Sequence, residues 1–199
     1  MTGATHAREL ISTSLNVYEM LKLLKHGAVE KDPHFEKLLN QNRYFFLPIL
    51  NVDGVNMIEE NWVKNKKIIP HRKSADKTLT SNCLHPEEDI GVDLNRNFGI
   101  DFGQVDPIVK YQGLNYDADD SINAKDPMKI LPCEYNYPGP KAFSEPETIA
   151  YKNFLTQHQK DMSFVINMHS NGNAFIYPFN GRQKNDIEER RPGIMNIFS

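Results

Sequence analysis

The chain is short of the features that mark several functional classes. Only two cysteines, Cys83 and Cys133, occur in 199 residues, too few for a disulfide-built scaffold. By composition alone they are as readily two buried thiols as one bridge. No apolar stretch approaches the ~20 residues needed to cross a bilayer, so no membrane segment is expected. The net charge is only −3, which gives no field suited to nucleic acid or an acidic membrane surface. No internal repeat or low-complexity tract is present. The opening Met1-Thr2-Gly3 has no basic or long apolar leader of the signal-peptide kind. Groups able to do chemistry follow directly, where a bare terminus would fray, so further sequence is expected ahead of them.

What remains describes an ordinary globular protein, 39% hydrophobic and 25% charged, read as one domain over residues 1–199. Ile11, Leu15, Tyr18, Leu21 and Leu24 recur at helical spacing from Leu10 to Lys25 and predict a buried apolar face, with Gly27 as the stop. Asp32-Pro33 opens a short helix carrying Phe35, Leu38 and Leu39. Tyr44 to Leu50 reads as a buried strand interrupted at Pro48. From Val52 to about Gly91 periodicity is lost, and the basic runs Lys64–Lys67 and His71–Lys73 read as solvated loop. A second irregular stretch covers Asp101 to Pro140. Ser144-Glu145-Pro146-Glu147 is a capping-box pattern for a helix to about Lys160 that would bury Ala150, Phe154 and Leu155. Phe164–Met168 and Ala174–Phe179 read as strands. Helices alternating with buried strands argue for an α/β sandwich.

Chemistry concentrates in a few places. Thr5-His6-Ala7-Arg8-Glu9 sets an imidazole and a carboxylate three residues apart, and such a pair alone is usually two surface residues. His85 and Glu88 repeat the spacing in a loop. A second imidazole, His169 in Asn167-Met168-His169-Ser170, changes the meaning of the first pair. Two imidazoles and one carboxylate give zinc three ligands and leave a fourth position for water. Between them lies Gly91-Val92-Asp93-Leu94-Asn95-Arg96-Asn97-Phe98. There Arg96 offers a planar fork for a carboxylate, Asn95 an amide, and Asp93 an acceptor able to orient a ligand imidazole.

Gly3 through Glu9, Asn51-Val52-Asp53-Gly54, Gly91 through Phe98, Ser144 through Glu147 and His169-Ser170 occur in the order found in zinc metallocarboxypeptidases. The chain resembles this family, peptidase M14, from Gly3 to about Pro178, in its carboxypeptidase A and B-like branch. The resemblance implies a three-layer sandwich with a mixed central β-sheet and helices on both faces, truncated at both ends. It assigns one Zn²⁺ to His6, Glu9 and His169, a substrate carboxylate to Asn95 and Arg96, and substrate contacts to Arg8 and Ser170. Tyr137 and Gly139 match the family's spacing after Cys133. That spacing implies a Cys83–Cys133 bond, closing a loop of about 50 residues and contributing about 4 kcal/mol. The implied partners are peptide or protein C-termini, and the implied setting is secreted, lysosomal or extracellular. Oligomeric state is not legible.

Two departures stand against the pattern. Trp62-Val63-Lys64-Asn65 resembles a family Trp-Arg-Lys-Asn whose arginine stabilises the oxyanion, and here valine occupies that place. The family's general-base glutamate and substrate-capping tyrosine lie well downstream of the third ligand, and nothing after His169 matches them. Glu188 and Glu189, in the charged run Asp186–Arg191, read as a solvated face. The base is therefore expected beyond residue 199. A non-catalytic zinc- and carboxylate-binding protein or fragment is the alternative.

Overall fold

The computed structural model describes residues 1–76, 90–100, 102, 132–170 and 173–176. The chain divides into two compact units, Met1–Phe102 with Ile130–Ser170, and Gly103–Lys129 with Asn171–Ser199. In the second, only residues 173–176 are described, and they are irregular and exposed. Cys83, His85, Glu88, Glu188 and Glu189 lie outside the described residues.

In the first unit, helix α1 spans Leu10–Leu23 and runs into a π-helical turn, Leu24–Val29. Helix α2 covers Pro33–Gln41, where the Asp32 side chain accepts from the His34 and Phe35 amides as the sequence predicts. Helix α3, Val52–Asn65, is capped by Asn51, which accepts from Gly54 N, and ends at Lys66 in the left-handed region. Leu94–Arg96 form one 3₁₀ turn capped by Asp93. Helix α4 spans Pro146–His158. It starts one residue after Glu145, and no side chain caps it. Ser144 instead serves Asn97 and Glu145, so the capping box does not form. Thr148 and Tyr151 are its buried residues, while Phe154 and Leu155 are half-buried and Ala150 is exposed.

The expected three-layer sandwich with a mixed central sheet is not found. Among the described residues no strand forms, and pairing is confined to two isolated parallel bridges, Thr2 to Leu47 and Thr2 to Asn167. Met1–Ala4 is nonetheless held from both sides. Thr2 N donates to Ile166 O and Met168 N to Thr2 O, while Gly3 N donates to Leu47 O and Leu47 N to Met1 O. A longer ladder is blocked locally. Ala4 leaves the extended region at φ 45°, and Pro48 has no amide to donate.

Helix α1 forms where its periodicity places it but turns the other way. Ile11 is 65% exposed and Tyr18 57%, whereas Ser12 and Asn16 are buried. The reason is what the helix meets. Its inner face lies against backbone: Ser12 Oγ accepts from Ala4 N, and Thr13 Oγ1 donates to Pro48 O. Small polar side chains satisfy those groups, and leucines would strand them. Among the described residues Ala7, Ile58 and Ile69 form an apolar cluster with Val55 packed beside them, and Leu50, Ile90, Val92 and Leu94 are buried as well.

His71–Ser74, read from sequence as solvated loop, is buried throughout. Asn51 Nδ2 donates to Lys73 O at 2.8 Å, and Lys73 Nζ donates to Pro132 O and Glu134 O. Ser74 N donates to Val92 O. Gly91 makes this crossing possible: its φ is +90°, and a Cβ there would sit 1.8 Å from Ser74 O.

Candidate metal centre

The first two metal-ligand candidates stand on the turn before α1. Ala7 N donates to Arg72 O and Glu9 N to His6 O, which fixes the turn. Glu9 occupies the N-cap of α1, yet its side chain does not cap; Ser12 bonds the Glu9 carbonyl instead. The carboxylate is thereby free to face two imidazoles. Its Oε1 lies 3.0 Å from His6 Nδ1 and its Oε2 2.8 Å from His169 Nδ1. Ser170 N donates to the same Oε2 at 3.2 Å. His6 and Glu9 are buried and His169 is exposed.

One ligand atom from each of His6, Glu9 and His169 lies within 4.8 Å of the others. Protonation fits a cation among them. His6 Nε2 is 3.1 Å from Asp93 Oδ1, so Nε2 carries the hydrogen, and Arg72 Nη1 donates to Nδ1 at 3.2 Å. The Nδ1 lone pair of His6 then points towards an anionic oxygen of Glu9, an approach that a cation between them relieves. On the other ring, the Asn167 amide lies 3.1 Å from Nε2. The atom there is Nδ2, with Oδ1 accepting from Thr5 Oγ1, so His169 Nε2 accepts and Nδ1 carries the hydrogen facing Glu9, a hydrogen whose place a cation would take.

Both carboxylates are held anionic. Burial alone would raise Glu9, but the hydrogen bond from His169 holds it well below the usual carboxylate range. Burial also opposes ionisation of Asp93, and the His6 hydrogen bond with the Arg72 charge outweighs it. Asp93 Oδ2 accepts from Arg72 Nε at 3.0 Å and Nη2 at 2.8 Å, a fork-on-carboxylate pair.

Arg72 is the residue that the sequence reading missed. Its Nη1 reaches both His6 Nδ1 and the Tyr135 hydroxyl, which puts a fixed cation beside the three metal-ligand candidates. Trp62 and Val63 lie exposed on α3, and Lys64 pairs with Glu60 on the same helix. The signal was present in His71-Arg72-Lys73-Ser74, a second basic pair in which the first residue is arginine.

The remaining candidates are placed as follows. Asn95 and Arg96 lie on the 3₁₀ turn immediately after Asp93, Asn95 half-buried and Arg96 exposed. The Arg96 charge helps depress Asp93. Asn97 locks this turn: its Nδ2 donates to Pro138 O and Ser144 Oγ, and its Oδ1 accepts from Thr148 Oγ1. Tyr137 O accepts from Asp93 N. Arg8 is exposed and donates to the Tyr135 hydroxyl.

A family model described as zinc carboxypeptidase matches residues 1–193. The chain belongs to the zinc carboxypeptidase family. It is 29% identical to human mast cell carboxypeptidase A over 177 residues, covering 87% of this chain and 33% of that protein. It is 26% identical to dog carboxypeptidase B over 174 residues, again 87% of this chain and 33% of the relative. A fission yeast protein named inactive metallocarboxypeptidase ecm14 is 26% identical over 185 residues, 89% of this chain and 29% of that protein. The chain thus spans about a third of the length of these curated relatives. Family membership accounts for the order of motifs, and the geometry shows which of them converge in this carboxypeptidase-family chain.

Proposed function

We propose that the chain carries the zinc site and substrate-carboxylate site of a metallocarboxypeptidase that hydrolyses the C-terminal peptide bond of peptides or proteins. The observation that carries this reading is the convergence of His6, Glu9 and His169 within 4.8 Å beside Arg72. His6, Glu9 and His169 would hold one zinc ion, with Asp93 fixing the tautomer of His6. When bound, zinc supplies Lewis acidity, polarising the scissile carbonyl and acidifying water. Asn95 and Arg96 hold the free C-terminal carboxylate, so chain ends are selected over internal bonds. Arg72 stabilises charge developing on the carbonyl oxygen, the part first sought at Val63. Arg8 and Ser170 contact the substrate. Glu9 is engaged by two imidazoles and Asp93 by His6 and Arg72, so neither is free to serve as the proton acceptor, which this reading leaves unassigned.

Cys83 and Cys133 are paired under the same reading, and Cys133 is not a free thiol. A bridge of that kind fits a secreted, lysosomal or extracellular setting.

Elemental analysis of the purified protein tests the metal assignment. One zinc per chain is expected, lost in His6→Ala and His169→Ala. Mass spectrometry of peptides tests the reaction: single residues leave a free C-terminus and none leaves a C-terminal amide. Absence of zinc, or equal cleavage of the amide, overturns the proposal. A non-catalytic zinc- and carboxylate-binding role is the second reading, favoured by likeness to a relative named inactive. It predicts zinc and peptide binding without hydrolysis.

A further inference from the structure

Tyr135 stands at the mouth of the metal centre, and none of the family motifs accounts for it. Arg72 Cζ lies 4.4 Å from its ring centroid and Arg8 Cζ 5.0 Å, so two guanidiniums flank one phenol ring. Both also donate to its hydroxyl oxygen, Arg72 Nη1 at 3.2 Å and Arg8 through Nη2. A phenol oxygen has two lone pairs and one hydrogen to give. The lone pairs are taken by the two arginines. Among the described residues, none is placed to accept the hydroxyl hydrogen.

The segment that carries Tyr135 is firmly anchored on both sides. Lys73 Nζ donates to Pro132 O at 2.7 Å and to Glu134 O at 3.0 Å. Tyr137 N donates to Glu134 O, and Tyr137 O accepts from Asp93 N. The side chain itself is 53% exposed. A half-exposed donor on a fixed loop, polarised by two cations, suits an incoming oxygen acceptor. Arg72 joins it to the chemistry. With Nε and Nη2 committed to Asp93, Nη1 is shared between His6 and Tyr135.

We propose that Tyr135 is a substrate-positioning residue, its hydroxyl held as acceptor by Arg8 and Arg72 while it donates its hydrogen to a carbonyl oxygen of the bound peptide. This rests on the carboxypeptidase reading above. Tyr135 also orients the Arg72 fork: the ring packs on the guanidinium while the hydroxyl takes one of its hydrogens.

The test uses zinc-loaded protein and two probes, a cleavable peptide and one ending in a D-residue that binds without turnover. Tyr135→Phe keeps the ring over both guanidiniums and removes only the hydroxyl. Losing one hydrogen bond to the ligand is expected to raise KM, and the Kd of the D-peptide, about tenfold. The kcat should stay within about twofold. Tyr135→Ala should weaken binding further and also lower kcat, and Phe should recover kcat but not KM. Zinc content equal to the parent protein reports that each variant retains the site. Unchanged D-peptide affinity in a zinc-replete Tyr135→Phe protein overturns the inference while leaving the zinc site and carboxylate pocket standing. A kcat loss with KM unchanged also overturns it. Failure of the parent protein to bind zinc or the D-peptide overturns the functional reading, and this inference with it.

Discussion

At the scale of single residues, the centre depends on charge held out of water. Arg72 and Asp93 are buried and paired through two hydrogen bonds, so removing either takes from the other its opposite charge. Arg72→Ala is expected to lower kcat by about 10²–10³ if the full reaction is assayed. Val63→Arg should leave it within about twofold, because Val63 is exposed on α3. A higher kcat in Val63→Arg with no loss in Arg72→Ala would return the role to Val63's position. Asp93 has its pKa depressed on folding. Its contribution to stability is therefore complete above its ordinary range and lost as pH falls through and below that range. In metal-free protein, Asp93→Asn should cost about 3–5 kcal/mol at pH 7, the penalty for breaking a buried pair. Urea titrations at pH 7 and pH 3 check this, since the difference from the parent protein should shrink in acid.

At the scale of elements, short polar links do the positioning. Asn51 caps α3 and also donates to Lys73 O, so one side chain ties a helix start to the buried basic run. Asn97 performs the matching task for the 3₁₀ turn that bears Asn95 and Arg96. Asn97→Ala would strand several buried partners at once and is expected to cost roughly 3 kcal/mol. Chemical denaturation measures that cost, and a higher KM should accompany it as the turn loosens; a change under 0.5 kcal/mol by the ~1 kcal/mol hydrogen-bond scale would refute it. Helices α1, α2 and α4 were legible because capping and periodicity are local, whereas α3, Val52–Asn65 with its Asn51 cap, fell in the stretch read as loop. Asp32 caps where its type predicts, whereas Ser144 was diverted from its helix by Asn97, a partner distant in sequence. The face of α1 was misread for the same reason. Periodicity found its stripe, but the backbone against which the helix packs decides which side turns inward.

At the scale of the whole molecule, many polar groups among the described residues are buried, and several large apolar groups are exposed. His6, His71, Arg72, Lys73, Asp93 and Asn97 are buried, while Ile11, Phe164 and Ile176 are more than 60% exposed. An interior of this kind relies on satisfied polar pairs beside hydrophobic burial, and a metal at the proposed site would add to both. Zinc should therefore carry much of the stability. At free zinc about 1,000 times Kd the gain is about 4 kcal/mol. A chelator should lower Tm accordingly, and His169→Ala protein should show no such shift. An identical Tm with and without chelator would count against a zinc site in the folded chain.

The sequence by itself determined the kinds of atom available and the local elements. His6 and Glu9 lie three residues apart on one turn, and Asn95 and Arg96 follow Asp93 directly. Tertiary structure decided the partners. Glu9 and His169 meet across 160 residues, and Arg72 rather than the chain around Val63 reaches them. Among the described residues, bridges form at Thr2 alone, because Ala4 and Pro48 interrupt their ladders. Ligand type and helix start are fixed by a residue and its near neighbours. Burial, pairing and the choice of one arginine over another depend on what the rest of the chain brings alongside.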